Sequence, residues 1–278
     1  MNVLVVYKKS SLELYSDSSD EKLQEFMESN NVDIEVMRKS HDSQKKALEK
    51  VLDNLEKNGI DHSVIYRADL EKIRDKDLVV SVGGDGTFLE VSHYVKGTPV
   101  LGVNSDPMNS VGYYCCFDAD NFYKAFDSPK SRLNRLEILI NGDKIEEPIL
   151  NDFLFAHPNP ASTTRYKING EEHKNSGLLV ATAAGSTAWI YQENGTVLGS
   201  EDNKIQYLNR GERGVKPCFA DEMQLESLTR KGQIYIDGPH LTYDLTLGDI
   251  LEVRKGEPLL VYGNIEAKRR KFAEFAKV

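Results

Sequence analysis

Short apolar runs and helical patterns take turns along the first half of the chain. Val3–Tyr7 is a compact apolar run that reads as a buried strand, and Ser16–Asn31 is polar and acidic, the pattern of a helix-containing surface insertion. From Ser43 to Asn58 the positions Ala47, Leu48, Val51, Leu52 and Leu55 keep a helical period, and Asn58-Gly59 supplies its C-terminal stop. His62–Tyr66, Leu78–Val82 and Pro99–Val103 are further strands, with a helix from about Thr87 to Val95 between the last two. Strands separated by helices predict a doubly wound α/β sheet with helices on both faces.

After about Ser131 the rhythm changes. Leu133–Ile140, Leu150–Phe155, Arg165–Ile168, Leu178–Thr182, Ile234–Ile236 and Leu251–Val253 are short β-type runs. Turn signals lie between them at Asn141-Gly142, Asn169-Gly170, Asp237-Gly238 and Gly248-Asp249. This half is predicted to be mostly β. The last stretch, Ile265–Val278, returns to helical spacing through Phe272, Phe275 and Ala276 and is expected to pack back on the first domain. The predicted division is an α/β domain over residues 1–131, a β-rich domain over 132–262 and a C-terminal helix over 263–278.

Length agrees with that division, since 278 residues at about 150 per domain make two. Charge narrows the function. Lys and Arg number 35 against 44 for Asp and Glu, a net charge of −9, which disfavours nucleic acid or an anionic membrane as partner. No apolar run approaches the ~18 residues of a membrane span. The N-terminal run lacks the basic start and small-residue cleavage site of a signal peptide. Cys115, Cys116 and Cys218 make no disulfide framework and no C-x2-C zinc pattern. His41, His62, His93, His157, His173 and His240 form no i, i+4 pair, so no protein-held metal site is predicted. A cytoplasmic enzyme or binding protein is expected.

The sharpest local feature is Gly83-Gly84-Asp85-Gly86-Thr87, directly after the run Leu78–Val82 and opening a helix. Strand, glycine loop and helix N-terminus together make an anion site, because backbone N–H groups approach an oxyanion closely and the helix dipole favours negative charge. Asp85 is the odd member. A carboxylate beside phosphates is repulsive unless it faces Mg²⁺ or takes a proton from an attacking hydroxyl, and both roles belong to phosphoryl transfer. The plain alternative is a tight turn in which Asp85 caps the helix. The chain has no Walker A loop, no G-x-G-x-x-G fingerprint and no G-x-S-x-G elbow.

A second cluster runs from Ser176-Gly177 through Ala183-Ala184-Gly185-Ser186-Thr187-Ala188-Trp189. Its small residues let a ligand lie against backbone, and Trp189, the sole tryptophan, offers a flat face to a base; a core tryptophan beside a polar turn is the alternative. Asn151-Asp152, at a strand start, either holds ribose hydroxyls or shapes a turn. Arg165 and Lys174 flank these segments; solvated strand-edge charge explains Arg165, while Lys174 is kept as a candidate for a pyrophosphate. Lys268-Arg269-Arg270-Lys271 reads as a solvated helix face.

Gly83–Thr87, Pro99–Asn104, Asn151-Asp152 and Gly177–Trp189 occur in the order and rough spacing of the NAD kinases, a resemblance that covers most of the chain. Ser105-Asp106-Pro107, Ser176-Gly177 and Trp189 look most like the branch that includes the mitochondrial enzymes. The resemblance implies a kinase that phosphorylates the adenosine 2′-hydroxyl of NAD, using ATP and a divalent metal ion such as Mg²⁺. It implies Asp85 as proton acceptor, with Gly83, Gly84, Gly86 and Thr87 around it. Asn151 and Asp152 would contact the dinucleotide, and Thr187, Ala188, Trp189 and Gln192 would line the adenosine pocket. It implies a homodimer or a higher homo-oligomer, with Thr187–Gln192 close to the partner chain. Asp152 stands where most members have Glu, Ser176 replaces an Asp, Ala183-Ala184 replaces a proline and hydroxyl pair, and Trp189 replaces Tyr. Two other readings use the same loop. A lipid kinase of the diacylglycerol or sphingoid type shares it but has a Gly-Thr-x-Asn-Asp-Phe segment downstream, where this chain has Val103–Pro107. A non-catalytic dinucleotide sensor gains nothing from Asp85.

Overall fold

The computed structural model describes residues 1–29 and 32–275, with side chains to 271; Ala276, the side chains of Phe272 and Phe275, and the end of the predicted insertion at Asn30-Asn31 lie outside the described residues. The chain divides into two compact units, one of residues 1–131 with the segment from Leu260 onward, the other Arg132–Leu259.

The first unit is built on a parallel sheet. Strands β1 (Asn2–Tyr7), β2 (Asp61–Tyr66), β3 (Leu78–Gly83) and β4 (Val100–Asn104) lie in the order β2-β1-β3-β4, and β5 (Phe117–Asp118) pairs with β4. The strand Leu259–Tyr262 adds to β4 in parallel and β6 (Lys130–Leu133) follows it. The expected boundary at 262 therefore moves to 259. Every residue of β3 and β4 is buried, which is why both read as continuous apolar runs without alternation.

One face of the sheet packs Val3, Val5, Val80, Val82, Leu101 and Val103 against Ala47, Val51 and Leu55 of helix α3 (Val32–Lys57). That helix starts at Val32, well before the predicted Ser43; its first turns bury only Ile34, so they carry no apolar period to mark them in the sequence. It stops where predicted, with Gly59 at φ +63° and the bonds Ile60 N–H to Leu55 O and Gly59 N–H to Glu56 O closing its last turn. Before it come α1 (Ser11–Ser16) and α2 (Glu21–Glu28), capped by Ser10 and Asp20. Helix α4 (Asp85–Tyr94) packs on β1 and β3, and its buried Phe88 and Val91 are absent from the α3 cluster, so it covers the other face. The C-terminal helix Ile265–Phe275 belongs to this unit. Its basic run is not one solvated face: Lys268 donates to the carbonyls of Gly112 and Cys115, and Arg269 is buried, while Arg270 pairs with Glu266 at the surface.

The second unit is a pair of antiparallel sheets. One runs β11-β10-β15-β18-β7-β8 through Glu171–Asn175, Thr164–Ile168, Met223–Ser227, Ile250–Lys255, Leu136–Ile140 and Asp143–Lys144. The other runs β14-β13-β12-β9-β16-β17 through Cys218–Ala220, Ile205–Asn209, Leu178–Ala181, Asp152–Ala156, Gln233–Ile236 and Leu241–Asp244. Ile138, Tyr166, Leu225 and Leu251 of the first meet Phe153, Phe155, Leu178, Val180 and Ile234 of the second in a single core. The second sheet is apolar on its other face too, where Leu154, Leu179, Ala181 and Leu208 pack with Ile190 of α5 (Trp189–Gln192). Asn141-Gly142 and Asn169-Gly170 adopt positive φ at both residues and turn the β7–β8 and β10–β11 hairpins. The predicted single strand Leu133–Ile140 is two strands. Between them Arg135 turns inward, 1% exposed, and its Nε donates to Glu257 O at 2.8 Å. Among the described residues no helix is long and apolar enough to cross a membrane.

Candidate functional site

In the first unit the loop follows from its neighbours. Buried β3 ends at Gly83, Gly84 caps α4 with extended backbone (φ −109°, ψ −164°), and Asp85 is the first helical residue. The glycines do different jobs. A methyl group at Gly83 would fall 2.3 Å from Thr87 Oγ1, and one at Gly84 would fall 2.7 Å from Ser110 Oγ. These two are therefore glycine for packing. A side chain at Gly86 would meet nothing nearer than Arg67 Nη1, 3.8 Å away, so Gly86 is the glycine that leaves open space. Asp85 Oδ1 accepts the N–H of Tyr114 at 2.9 Å, which fixes the carboxylate at the helix start and leaves Oδ2 without a hydrogen-bond partner among the described residues. The Thr87 hydroxyl is buried and also without a hydrogen-bond partner among the described residues. Behind the loop, Cys115 is fully buried, and burial together with the Asp85 charge pushes its thiol far above the usual range. It is an inert packing group.

In the second unit Asn151 immediately precedes β9 and Asp152 begins it. This corner is over-determined. The carboxylate of Asp237 accepts three successive backbone N–H groups, from Leu150 at 2.9 Å, Asn151 at 2.7 Å and Asp152 at 3.0 Å. Thr182 N–H donates to Asn151 O at 2.9 Å, and Thr182 Oγ1 donates to Leu150 O at 2.5 Å. A methyl at Gly185 would lie 2.1 Å from Asn151 O. Gly185 thus makes room for the Asn151 backbone. Ser186 is likewise consumed, donating to Ala183 O and accepting from Leu198 N–H.

Burial, and then the charge of Asp237, push the Asp152 carboxyl up to about 8. Asp152 is 6% exposed and is therefore a neutral, proton-bearing acid at pH 7. The neighbour whose charge acts on Asp152 is Asp237, which takes the three N–H donors and whose charge also acts on buried Arg135. Asp237 is the residue that sequence reasoning missed. It registered only as half of an Asp-Gly turn, and no local pattern tells where its carboxylate goes.

Thr187 and Ala188 are half-buried, Gln192 is exposed, and Trp189 is half-buried against the outer face of the second sheet. The guanidinium of Arg210 lies 4.8 Å above the Trp189 ring and is itself paired with Glu193 at 3.0 Å, so one face of the indole is already covered. Lys174 is not brought to this group. It pairs in register with Arg165 on edge strand β11, and both alternate away from core-facing Tyr166. It is a solvated edge charge. Among the described residues no three His, Cys, Asp or Glu side chains converge to hold a metal ion.

Residues 3–128 match the family model described as the ATP-NAD kinase N-terminal domain. The chain is 34% identical over 251 residues to a probable NADH kinase of Oryza sativa subsp. japonica, spanning 74% of this chain and 77% of the relative. It is 30% identical over 260 residues to an NADH kinase of Arabidopsis thaliana, spanning 74% and 78%. It is 27% identical over 258 residues to an NAD kinase of Prosthecochloris aestuarii, spanning 84% and 87%. Among solved structures, an NAD kinase from Archaeoglobus fulgidus in complex with ATP aligns over 100% of both chains, with a TM-score of 0.69 at 19% identity. Yeast NADH kinase complexed with NADH aligns over 96% of this chain and 85% of that one, with a TM-score of 0.64 at 18% identity. At these identities the likeness to solved structures concerns the fold.

Proposed function

The chain belongs to the NAD kinase family, and on that premise we propose that it transfers the γ-phosphoryl group of ATP to the adenosine 2′-hydroxyl of NAD. It is a phosphotransferase acting on an alcohol group, and membership of the NAD kinase family sets aside the lipid kinase and the sensor. The observation that carries the reaction is Asp85, fixed through Oδ1 by the Tyr114 N–H with Oδ2 free to accept a proton. As the 2′-oxygen bonds to the γ-phosphorus, its proton passes to Asp85 and the bond to the bridging oxygen breaks, releasing ADP. The helix N-terminus and the open space at Gly86 favour the donor's phosphates. A divalent cation would enter as a companion of the donor, held by the donor's phosphates and water, since Mg²⁺ keeps much of its hydration shell and among the described residues no three His, Cys, Asp or Glu side chains converge to hold it. When bound it neutralises charge on the transferring group.

Asn151 and Asp152 are proposed to hold the dinucleotide, Asp152 as a hydrogen-bond donor, and Thr187, Ala188, Trp189 and Gln192 to line the adenosine pocket. NADH is the second reading for the acceptor, favoured by the names of the two plant relatives. We also propose a cytoplasmic homodimer. Three free cysteines suit a reducing compartment, and exposed Tyr191, Val197 and Phe219 suit a subunit contact in the second unit. An assay for 2′-phosphorylated product, offering NAD and NADH each with ATP, tests the reading directly, and no product from either acceptor overturns it. Sedimentation equilibrium at micromolar concentration tests assembly, where an active species at 31.3 kDa removes the dimer.

A further inference from the structure

Two basic side chains used by nothing above stand at the carboxyl end of the first unit's parallel sheet. Lys8 directly follows β1 and Arg67 directly follows β2, while the Gly83–Thr87 loop follows β3 on the other side of β1. In such sheets ligands bind outside the carboxyl ends of the strands. Arg67 pairs through Nε with Glu90 of α4 at 3.4 Å, and its Nη1 lies 3.8 Å from where a side chain would begin at Gly86. The guanidinium therefore borders the one open position of the loop.

Lys8 is half-buried and makes no hydrogen bond or ion pair among the described residues. Burial, and then the charge of Arg67, lower its pKa, opposed by the charge of Asp106. Asp106 is engaged elsewhere, both of its carboxylate oxygens accepting from Asn109 Nδ2 at 3.1 and 3.0 Å. Lys8 lines a cavity of ≈ 160 Å³ together with Ser105, Gln44 and Lys45, and Gln44 Oε1 is buried there without a partner. Glu13 and His41 also line it, but the Glu13 carboxylate is committed to the N–H and hydroxyl of Ser10, and His41 Nδ1 meets that same hydroxyl at 2.9 Å. A half-buried ammonium beside a second cation costs free energy in the empty protein, and an anion removes that cost.

We propose that Lys8 and Arg67 bind the terminal phosphates of the phosphoryl donor over the Gly83–Thr87 loop. The identity of that donor rests on the kinase reading above, but the chemistry recognised is a chain of phosphates. It is shared by a nucleoside triphosphate and by inorganic polyphosphate.

Isothermal titration of the intact protein with ATP and, separately, with inorganic tripolyphosphate tests this without relying on turnover. Lys8→Met and Arg67→Met should each weaken both ligands by about ten- to hundredfold, the range of a lost charge-assisted hydrogen bond. Lys8→Arg should retain binding, and the Trp189 fluorescence titration with NAD should be unchanged in all three variants. Both methionine variants lying within twofold of wild type overturns the proposal, as does a wild-type protein that binds neither ligand. Weakening toward ATP alone also overturns it, because the two residues would then read the nucleoside. A wild-type protein that binds both ligands yet forms no 2′-phosphorylated dinucleotide sinks the kinase reading and leaves the phosphate site standing.

Discussion

The Gly83–Thr87 loop and the Asn151–Asp152 corner are both short polar stretches at a strand end, but they are built by opposite means. The loop is local. Its strand, its cap and its helix are contiguous in sequence, and the carboxylate of Asp85 is fixed by a single bond to a backbone N–H. The corner is assembled from afar. Asp237 lies 87 residues beyond Leu150 and captures three N–H groups there, while Thr182 and Gly185 close on the same backbone. A contiguous device displays a charged group toward solvent and ligand. A long-range network instead buries a carboxyl deeply enough to keep its proton.

That contrast can be broken most directly at Asp85. Asp85→Asn keeps the helix start and the Tyr114 bond but cannot accept the proton. It should lower kcat by about 10²–10⁴-fold, the usual worth of a general base, with dinucleotide affinity unchanged. A variant retaining more than about a tenth of wild-type turnover, on that same scale, would remove Asp85 from proton transfer.

Asp237 tests the other side. Asp237→Ala orphans three backbone donors at once, and we expect a loss of about 2–4 kcal/mol in denaturant unfolding. KM for the dinucleotide should rise while KM for ATP stays put, because only the Asn151–Asp152 corner loses its hold. Asp237→Asn keeps an oxygen acceptor and should fall between Ala and wild type. Equal changes in both KM values would make Asp237 a general structural residue.

Trp189 lies between these extremes. Trp189→Ala should weaken dinucleotide binding by about 1–3 kcal/mol, the worth of a base–aromatic stack, and Trp189→Tyr should be nearly neutral. Arg210 covers one face of the ring, so the base must use the other. Emission of this sole tryptophan should change on addition of NAD. Unchanged emission together with unaltered affinity in the alanine variant would make it a packing residue.

The same division governs what the sequence revealed. Interior strands such as β3 and β4 were legible because burial on both faces leaves an unbroken apolar run. The hairpins at Asn141-Gly142 and Asn169-Gly170 were legible because their backbone demands those residues. Strand β11, Glu171–Asn175, was not, since an edge strand with Glu171, Glu172 and Lys174 exposed carries no apolar signal. Neither was the first part of α3, where Ile34 alone is buried among charged turns. The site followed suit. Asp85 announced itself through its neighbours, whereas Asp237 showed only its turn, because the three donors that define its role lie on another strand's approach. Lys8 and Arg67 escaped notice for a similar reason. Each is one basic residue after a strand, and only the parallel register sets them side by side.

The pH dependence of stability concerns the proton on Asp152, and it separates a buried acid from an exposed one. Its carboxyl sits at about 8 in the folded chain against an ordinary value of 3.8. Between those values the folded chain binds the proton and the unfolded chain has released it. Stability therefore falls as pH rises from about 4 to about 8 and changes no further above that. Asp152→Asn keeps a hydrogen-bonding amide in place and removes the titration. The variant should thus gain on wild type as pH rises, with a Tm difference that widens from pH 5 to pH 8 and then levels. Asp237 sets part of this shift through its charge, so in an Asp237→Asn background the widening should shrink. Thermal unfolding of the four proteins at pH 5, 6, 7, 8 and 9 measures it. A difference that stays flat across that range would mean that Asp152 is ionised in the folded chain, and the corner would then bind its ligand as an acceptor instead of a donor.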